Sequence, residues 1–216
     1  MEKEKIVIFG AGGLGVELTT WIRDINAKKD RFDLLGFVDD TPELQGKTVA
    51  GFSVLGDSSW LLNYDGEIGV VIAVGLSQGR KKVFERFSQN PNISFPNIHV
   101  DEDKFYHSEV LGNVKGCVIG YHNLISRFAT FGDFVFIDGL SCVGHGAKIG
   151  SFASLFIGSH IPGDVIIGEC AQINSGARIM PGKSVGENAT VGMGSIVIKN
   201  VAANTTVFGN PAKAIC

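Results

Sequence analysis

The sequence lacks three features that would place it in common classes of protein. Basic residues are not in excess, since 19 Lys and Arg stand against 22 Asp and Glu for a net charge of −3, so a nucleic-acid partner is not indicated. No run of 18 or more apolar residues suggests a membrane-spanning helix. The four cysteines show no C-x-x-C spacing. We therefore expect no zinc site, no disulfide framework and mostly small, buried cysteine side chains.

The N-terminus also lacks the features of a targeting signal. Its opening MEKEKIVIFG carries acidic residues and continues into glycines, which does not fit a signal peptide. We accordingly expect a cytoplasmic protein. A length of 216 residues allows one large domain or two small ones with a sizeable core.

Glycine, by contrast, is abundant, and its recurrence accompanies an internal repeat. From Ile119 onward, every sixth residue through Val197 is large and apolar; we call these fourteen positions the ladder. They are Ile119, Ile125, Phe131, Ile137, Val143, Ile149, Leu155, Ile161, Ile167, Ile173, Ile179, Val185, Val191 and Val197. Glycine follows seven of them, and a small residue usually stands four places after each, with Asn123 and Lys183 as the clear exceptions.

A period of six fits neither a helix, with 3.6 residues per turn, nor a simple alternating strand. It fits a parallel β-helix of triangular cross-section, in which each hexad forms one side and one corner and three hexads close a coil. The ladder residue then fills the interior, and we expect the glycine after it to adopt turn conformations denied to other residues. Fourteen hexads predict four to five coils. The alternative, a sandwich of short strands, would alternate by two and show hairpin turns.

The first half of the chain alternates strands and helices instead. IVIFG is a predicted strand, VELTTWIRDI a helix, DLLGFVDD a second strand, GVVIAVG a buried parallel strand and GRKKVFERF a helix. We expect three or so strands here. The predicted fold class is α/β plus β-helix, with a small Rossmann-like domain over residues 1–97 and a β-helix over residues 98–216.

A glycine-rich turn, Gly10-Ala11-Gly12-Gly13-Leu14-Gly15, separates the first strand from the first helix. Such a turn lets backbone amides approach a phosphate at a helix N-terminus. Asp39 and Asp40 end the second strand, where a ribose-binding carboxylate is expected. The turn could hold NAD or serve only helix–strand packing. Because a full dinucleotide needs two βαβαβ halves, we favour a pyrophosphate site formed by Gly10, Gly12, Gly13, Asp39 and Asp40.

The whole chain, from VIFGAGGLG to VFGNPAKAI, resembles the bacterial sugar O- and N-acetyltransferases of the sialic acid O-acetyltransferase and bacillosamine-pathway type. The resemblance implies a left-handed β-helix and a homotrimer that binds acetyl-CoA, as co-substrate, in clefts between subunits. It also implies transfer of an acetyl group to a sugar.

Acetyl transfer needs a base, and histidine suits this role. The candidates are His99, His107, His122, His145 and His160. Only His145, within SCVGHGAKIG, stands in a context that resembles the family, which implies that it is the general base. The resemblance further implies that the Gly163 N–H faces the thioester carbonyl as an oxyanion donor.

The resemblance extends to two stretches that would contact coenzyme A. By this resemblance, SGARIMPG would line the pantetheine arm of coenzyme A with Ala177, Met180 and Gly182. GNPAKAI would place Pro211 and Lys213 near its adenine end. Lys199 and Lys213 are candidates to meet CoA phosphates. Each lysine could equally be an ordinary solvated residue.

The sequence departs from the family where His145 would be oriented. An acid often follows this histidine in the family, but here Gly146 does, and Ser154 replaces a second histidine. We therefore expect Asp138, where relatives often have Asn, to orient the ring, as a triad carboxylate does. Asp138 could instead only cap a corner.

The sequence leaves the substrate open. Our first hypothesis is N-acetylation of a nucleotide-linked 4-amino sugar for surface glycan synthesis, because the first domain has the glycine turn with Asp39 and Asp40. The second is O-acetylation of sialic acid or another polysaccharide sugar. The third is a non-catalytic β-helix scaffold with a nucleotide-sensing domain, against which the context of His145 argues.

Overall fold

The computed structural model describes residues 3–101 and 111–215, which divide into two compact units. The first unit runs to Gly75 and resumes at Gly79–Val100. The second comprises Leu76–Gln78 and the chain from Asp101 onward. The division at Val100 lies close to the predicted boundary at residue 97.

The first unit is a mainly parallel sheet with helices between its strands. Its elements are β1 Glu4–Phe9, α1 Gly13–Lys29, β2 Phe32–Val38, a 3₁₀ turn Pro42–Leu44, β3 Thr48–Val49, β4 Phe52–Gly56, α2 Ser58–Leu62, β5 Ile68–Ile72, α3 Ser77–Phe87, β6 Ile93–Ser94 and β7 Ile98–His99. The strand order is β3-β4-β2-β1-β5-β6, and only the β3–β4 pair is antiparallel. This is one half of a doubly wound arrangement, extended at both edges by two-residue strands.

The sheet therefore holds more strands than the three or so predicted, and β4 is the longest one missed. Only Val54 of its five residues is buried, so its sequence lacks a continuous apolar run. β5, by contrast, is buried throughout, as central parallel strands are. Hydrophobic periodicity therefore detects a fully buried strand such as β5 but misses a partly exposed one such as β4.

The second unit is a parallel β-helix of two-residue strands. They are β8 Val118–Ile119, β9 Leu124–Ile125, β10 Thr130–Phe131, β11 Phe136–Ile137, β12 Cys142–Val143, β13 Lys148–Ile149, β14 Ser154–Leu155, β15 His160–Ile161, β16 Ile166–Ile167, β17 Gln172–Ile173, β18 Arg178–Ile179, β19 Ser184–Val185, β20 Thr190–Val191 and β21 Ile196–Val197, followed by β22 Thr206–Phe208 and β23 Lys213–Ala214. Every third strand pairs in parallel register, as when Phe136 and Ile137 of β11 lie beside Ser154 and Leu155 of β14. Three faces result, here numbered first (β8, β11, β14, β17, β20, β22), second (β9, β12, β15, β18, β21) and third (β10, β13, β16, β19).

The ladder is confirmed as the interior of this prism. Each ladder residue ends one of the strands β8–β21, and all are buried except Phe131, which is half-buried. The small residues four places later also point inward and are buried; they are Ala129, Ser141, Ala147, Ala153, Ser159, Ala171, Ala177, Ala189 and Ser195. Asn123 is tolerated there because its amide donates to Gly120 O and its Oδ1 accepts from Ser141 N–H.

Our explanation of the glycines after the ladder positions is wrong. They do not carry the left-handed conformation, which falls two residues later, as at Gly146 (φ +66°). They are small because the next coil lies against them: a Cβ on Gly168 would lie 2.5 Å from the backbone nitrogen of Glu187. Close approach of the coils, not backbone freedom, explains these glycines.

The ladder also continues beyond Val197, after a shortened step. Val201 comes four residues later and pairs with Val185, and Val207 on β22 pairs with Val191. Both are buried. Sixteen interior positions at three per coil make just over five coils, where fourteen hexads predicted four to five.

Two edges of the prism border its second face. The corners 120–122, 138–140, 156–158, 174–176 and 192–194 form what we call the Asp138 edge. The corners 126–128, 144–146, 162–164, 180–182 and 198–200 form the His145 edge. Successive corners of an edge are 18 residues apart, so the repeat places residues distant in sequence one strand spacing apart, about 4.8 Å.

Candidate functional site

The His145 edge brings together residues that we predicted to act in catalysis and residues that we predicted to bind acetyl-CoA. Arg127, His145, Gly163, Pro181 and Lys199 occupy equivalent places in five successive corners. At one strand spacing per coil, His145 and Lys199 lie about 14 Å apart along the edge. The edge thus offers a track for an elongated ligand, with its ends at His145 and Lys199.

The His145 ring lies directly against Gly163 in the next coil. A Cβ on Gly163 would lie 2.7 Å from Cε1 and 2.8 Å from Nε2 of the ring, so any side chain there would displace the histidine. Among residues 3–101 and 111–215, neither the ring nitrogens of His145 nor the Gly163 N–H has a hydrogen-bond partner. A possible base and a possible oxyanion donor therefore meet at one place, both with free capacity.

Asp138 lies elsewhere. It follows β11 on the Asp138 edge, whereas His145 follows β12 on the His145 edge. Its Oδ1 accepts the Gly139 N–H at 2.7 Å, and no hydrogen bond joins it to His145 within the described part of the chain. Within one chain Asp138 caps a corner, so any contact with His145 must come from a second copy.

Three of the residues predicted to bind acetyl-CoA, namely Ala177, Met180 and Gly182, come from the coil after Gly163. The position of one of them does not fit that role. Met180 and Gly182 lie at the surface of the His145 edge, and the Gly182 N–H donates to Gly163 O at 3.1 Å. Ala177 is fully buried in the interior stack, and its N–H and C=O pair with Asn174 and His160. It presents nothing to a ligand, so we remove it from the candidate set.

The remaining donor candidates share one cavity at the end of the β-helix. Lys199, Pro211 and Lys213 line a cavity of about 610 Å³, together with Val197, Ile198, Asn200, Val201, Ala202, Thr205, Val207, Ala212 and Ala214. Two ammonium groups beside an apolar wall suit a ligand that joins phosphates to a flat ring system.

The other histidines have different surroundings. His99 is buried, and His122 lies beside the Asp101 carboxylate, whose Oδ2 accepts the His122 N–H at 2.7 Å. His160 is half-buried on the second face. His107 lies outside the described residues. Of the four histidines in the described residues, only His145 stands opposite a glycine on the edge that carries the acetyl-CoA candidates.

In the first unit, packing explains two glycines of the turn and leaves two unexplained. Gly10 has φ +106°, and a Cβ on Gly15 would lie 2.0 Å from Gly10 O. Gly12 and Gly13 are exposed, and a Cβ at either would meet nothing within 4 Å. The interpretation that the turn serves packing alone therefore accounts for only half of it.

Asp39 closes the turn. Its Oδ2 accepts the Ala11 N–H at 2.7 Å and its Oδ1 the Thr41 N–H at 2.8 Å. Partial burial raises the pKa of Asp39, but the hydrogen bonds from Ala11 and Thr41 outweigh it and leave the pKa below its usual value. The carboxylate is thus ionised near neutrality, and each oxygen keeps a lone pair for a sugar hydroxyl.

Asp40 is held on the opposite side of the strand end. Ser58 donates to it through both its N–H (2.8 Å) and its hydroxyl (2.6 Å), and Arg86 forms an ion pair with it. Partial burial raises the pKa of Asp40, but the hydrogen bonds from Ser58 and Arg86 lower it by more. The pKa of Asp40 therefore lies below its usual value. No motif in the sequence contains Ser58 or Arg86, so neither could be predicted.

The structure also brings Asp164 against the corner that contains His145, through a backbone hydrogen bond from the Asp164 N–H to His145 O at 2.9 Å. A Cβ on Gly146 would lie 2.2 Å from Asp164 Oδ1, so this carboxylate occupies the space over Gly146. A signal was available: Asp164 is one coil of 18 residues beyond Gly146.

Among the described residues, no group of three His, Cys, Asp or Glu side chains could hold a metal ion. In that same part of the chain, no helix is both long and apolar enough to cross a membrane. Cys117 and Cys170 are buried and Cys142 is half-buried.

Residues 5–87 match the model of the PglD N-terminal domain. Over 216 aligned positions the chain is 32% identical to the GDP-perosamine N-acetyltransferase of Escherichia coli O157:H7, covering 95% of this chain and 94% of that protein. Two chloramphenicol acetyltransferases, from Escherichia coli and Agrobacterium fabrum, are each 47% identical to this chain over 53 residues, which is 25% of their own length.

Solved structures with the same fold extend over the whole chain. WeeI from Acinetobacter baumannii AYE superposes with a TM-score of 0.82 at 25% identity, covering 99% of this chain and 100% of that one. The acetyltransferase domain of PglB from Neisseria gonorrhoeae FA1090, in complex with acetyl coenzyme A, superposes with a TM-score of 0.74 at 21% identity and the same coverage. The second unit is the left-handed β-helix of these acetyltransferases.

The chain belongs to the family of sugar acetyltransferases in which a PglD-type N-terminal domain precedes a hexapeptide-repeat β-helix. By family it is therefore an acyltransferase.

Proposed function

We propose that the protein transfers an acetyl group from acetyl-CoA to the amino group of a nucleotide-linked sugar, with His145 as general base. One observation carries the proposal: the His145 ring lies against Gly163, on the edge that leads through Met180 and Gly182 to Lys199. The proposed general base, the proposed oxyanion-binding N–H and the residues proposed to bind acetyl-CoA thus lie along one edge.

The chemistry follows from this arrangement. The neutral sugar amine attacks the thioester carbonyl, and His145 takes a proton from the nitrogen as the C–N bond forms. The Gly163 N–H donates to the developing oxyanion. The C–S bond then breaks, the proton passes to the departing thiolate, and an amide and free CoA result. No side chain of the chain is acylated.

The His145 edge and the adjoining cavity suit acetyl-CoA. The thioester lies at His145 and Gly163, the pantetheine arm passes Met180 and Gly182, and the phosphates meet Lys199 and Lys213. The complex of the PglB domain with acetyl coenzyme A supports this choice of donor. Use of acetyl-CoA and a nucleotide sugar would fit the cytoplasm, where both are made.

The first unit would bind the acceptor nucleotide. Gly12 and Gly13 leave open space at the start of α1, whose free N–H groups and positive end favour a phosphate. Gly10 shapes the turn and Asp39 accepts a ribose hydroxyl, while Asp40 supports the neighbouring loop. The activity named for the E. coli relative, N-acetylation of GDP-perosamine, supports a nucleotide-linked amino sugar.

The function is tested by following thiol release from acetyl-CoA in the presence of 4-amino sugars linked to UDP, dTDP, GDP and CMP. We expect turnover with one nucleotide class and a product whose acetyl group is on nitrogen. Turnover only with sialic acid or a polysaccharide, with the acetyl group on oxygen, would replace this proposal by the O-acetyltransferase hypothesis. No release with any acceptor, despite acetyl-CoA binding, would contradict both.

The acceptor site is tested at the two kinds of glycine in the turn. Gly12→Val adds a side chain into open space, so we expect an increase of about tenfold or more in KM for the nucleotide sugar. The melting temperature and the KM for acetyl-CoA should change little. Gly15→Ala is the matched control and should lower the melting temperature, because its Cβ would overlap Gly10 O. An unchanged nucleotide-sugar KM in Gly12→Val would place the acceptor elsewhere. Asp39 is a poorer probe, since its loss would also open the turn.

A further inference from the structure

We propose that Arg86 is a specificity-determining residue of the acceptor site, whose guanidinium binds the nucleobase and selects guanine. This inference rests on the function proposed above and adds to it a residue that lies outside every motif of the sequence.

Arg86 lies at the carboxyl end of the sheet, where the strand order reverses. From β1 the chain proceeds through β2 and β4 on one side and returns with β5 on the other, and ligands of open α/β sheets bind outside the carboxyl ends at such a point. Phe87 packs edge to face against Phe9, the last residue of β1, with 5.5 Å between ring centroids. Arg86 itself bonds to Asp40, which follows β2, and to Ser58, which follows β4. The connections that follow β2, β4 and β5 therefore converge on this guanidinium.

Asp40 and Ser58 hold only one side of the guanidinium. Its Nη1 donates to Asp40 Oδ2 and to the Ser58 hydroxyl oxygen, which engages both Nη1 hydrogens. Within residues 3–101 and 111–215, Nε and Nη2 have no hydrogen-bond partner, and the side chain is 44% exposed. Nε–H and one Nη2–H are parallel donors on one edge of the planar group. The structure thus leaves a two-donor fork for a ligand, with its orientation fixed by Asp40 and Ser58.

The fork lies where the base of a bound nucleotide is expected. In the proposed acceptor site the phosphate lies in the open space at Gly12 and Gly13, and the ribose contacts Asp39 beside the turn. Asp40, the next residue, is held on the other side of the strand end, where it pairs with Arg86. A nucleotide that extends from the turn past Asp39 therefore brings its base toward Arg86.

Two parallel donors select a base with two adjacent acceptors. Guanine presents O6 and N7 in this way, and arginine binds that pair through two hydrogen bonds. Adenine has an amino donor beside N7, and uracil and thymine have an N–H beside O4, so each offers the fork one acceptor. Cytosine has O2 beside N3, but this O2 adjoins the glycosidic bond and is crowded by the ribose. Guanine is therefore the base that fits Arg86.

The first test measures nucleotide binding without turnover. Isothermal titration of the purified protein should show GDP bound about tenfold or more tightly than UDP, dTDP, ADP and CDP. Equal affinities, or tightest binding of another nucleotide, would refute this inference and leave the acceptor site itself in place. Binding of none of the five would contradict both.

The second test changes the fork and keeps its charge. Arg86→Lys retains a cation for Asp40 but loses the planar pair of donors, so the affinity for GDP should fall about tenfold and that for UDP should change less than about twofold. Arg31→Lys is the matched control, because Arg31 precedes β2 at the amino end of the sheet, and it should leave both affinities unchanged. An equal loss for GDP and UDP in Arg86→Lys would refute base recognition, as would no loss at all.

A third variant keeps Arg86 and its ion pair. Ser58→Ala removes one of the two acceptors that fix Nη1, so the affinity for GDP should fall about threefold, with the affinity for UDP unchanged. Melting temperatures show which variants fold, and Ser58→Ala decides the question if Arg86→Lys does not. A GDP affinity equal to that of the native protein in Ser58→Ala would contradict a fork held in place for the base.

Discussion

At the scale of single residues, the site depends on what is missing as much as on what is present. Gly163 has no side chain, and so the His145 ring can lie against it; Gly146 has none, and so the Asp164 carboxylate can reach back over it. The sequence motif predicted His145 and Gly163 as site residues. Asp164 was not singled out, although it stands one coil of 18 residues beyond Gly146.

The residue-scale prediction concerns His145 and its glycine platform. His145→Ala should lower kcat by about 10²–10⁴, the usual contribution of a positioned general base, with the affinity for acetyl-CoA nearly unchanged. In the native enzyme, kcat/KM should rise with pH in one step as the base loses its proton, and that step should vanish in the variant.

Gly163→Ala is the matched probe of geometry, since it keeps the histidine but places a Cβ 2.7 Å from its ring. It should also lower kcat while the step in the pH profile remains. Steady-state kinetics across pH 5–9 check both variants. A His145→Ala enzyme with more than about a third of native kcat and an unchanged profile would assign the base to another residue.

At the scale of elements, regularity decided what the sequence could predict. The interior ladder could be predicted because each coil repeats the packing requirements of the coil before it. The prediction of a β-helix was confirmed. The shortened step to Val201 was not readable, because a four-residue interval breaks the period. The role of the glycines was misjudged because their constraint lies in the neighbouring coil. In the first unit, the edge strand β4 lacked the apolar run that revealed β5.

The element-scale prediction compares two isoleucines on neighbouring strands of the β-helix. Ile173, which ends β17, is fully buried, whereas Ile166, which begins β16, is about half exposed at 50%. Ile173→Ala should lower the free energy of unfolding by about 2–5 kcal/mol through lost burial and the cavity left behind. Ile166→Ala should change it by less than about 1 kcal/mol. Chemical denaturation measures both. Equal effects would mean that the ladder is not the interior.

At the scale of the whole molecule, exposed apolar side chains of the β-helix gather around the second face. Seven of the large ones lie on that face or on the two edges that border it: Leu124, Phe128, Leu140, Ile157, Met180, Met193 and Ile198. Such a concentration marks an interaction surface. It lies between the edge that carries Asp138 and the edge that carries His145. A ring of identical copies, each placing one edge against the other edge of the next, would cover it.

We therefore predict a homotrimer in which His145 of one copy meets Asp138 of its neighbour. Light scattering in dilute buffer should give three times the 23.0 kDa chain mass; a monomer would contradict the prediction.

Complementation then tests the shared site. His145→Ala and Asp138→Ala should each be inactive or nearly so as pure proteins, because every site of either lacks one group. Co-expressed, they should regain about a quarter of native activity, since random assembly of a cyclic trimer gives that fraction of sites an intact His145 and an intact neighbouring Asp138. Co-expression without any gain, in trimers shown by mass spectrometry to be mixed, would confine Asp138 to capping its corner.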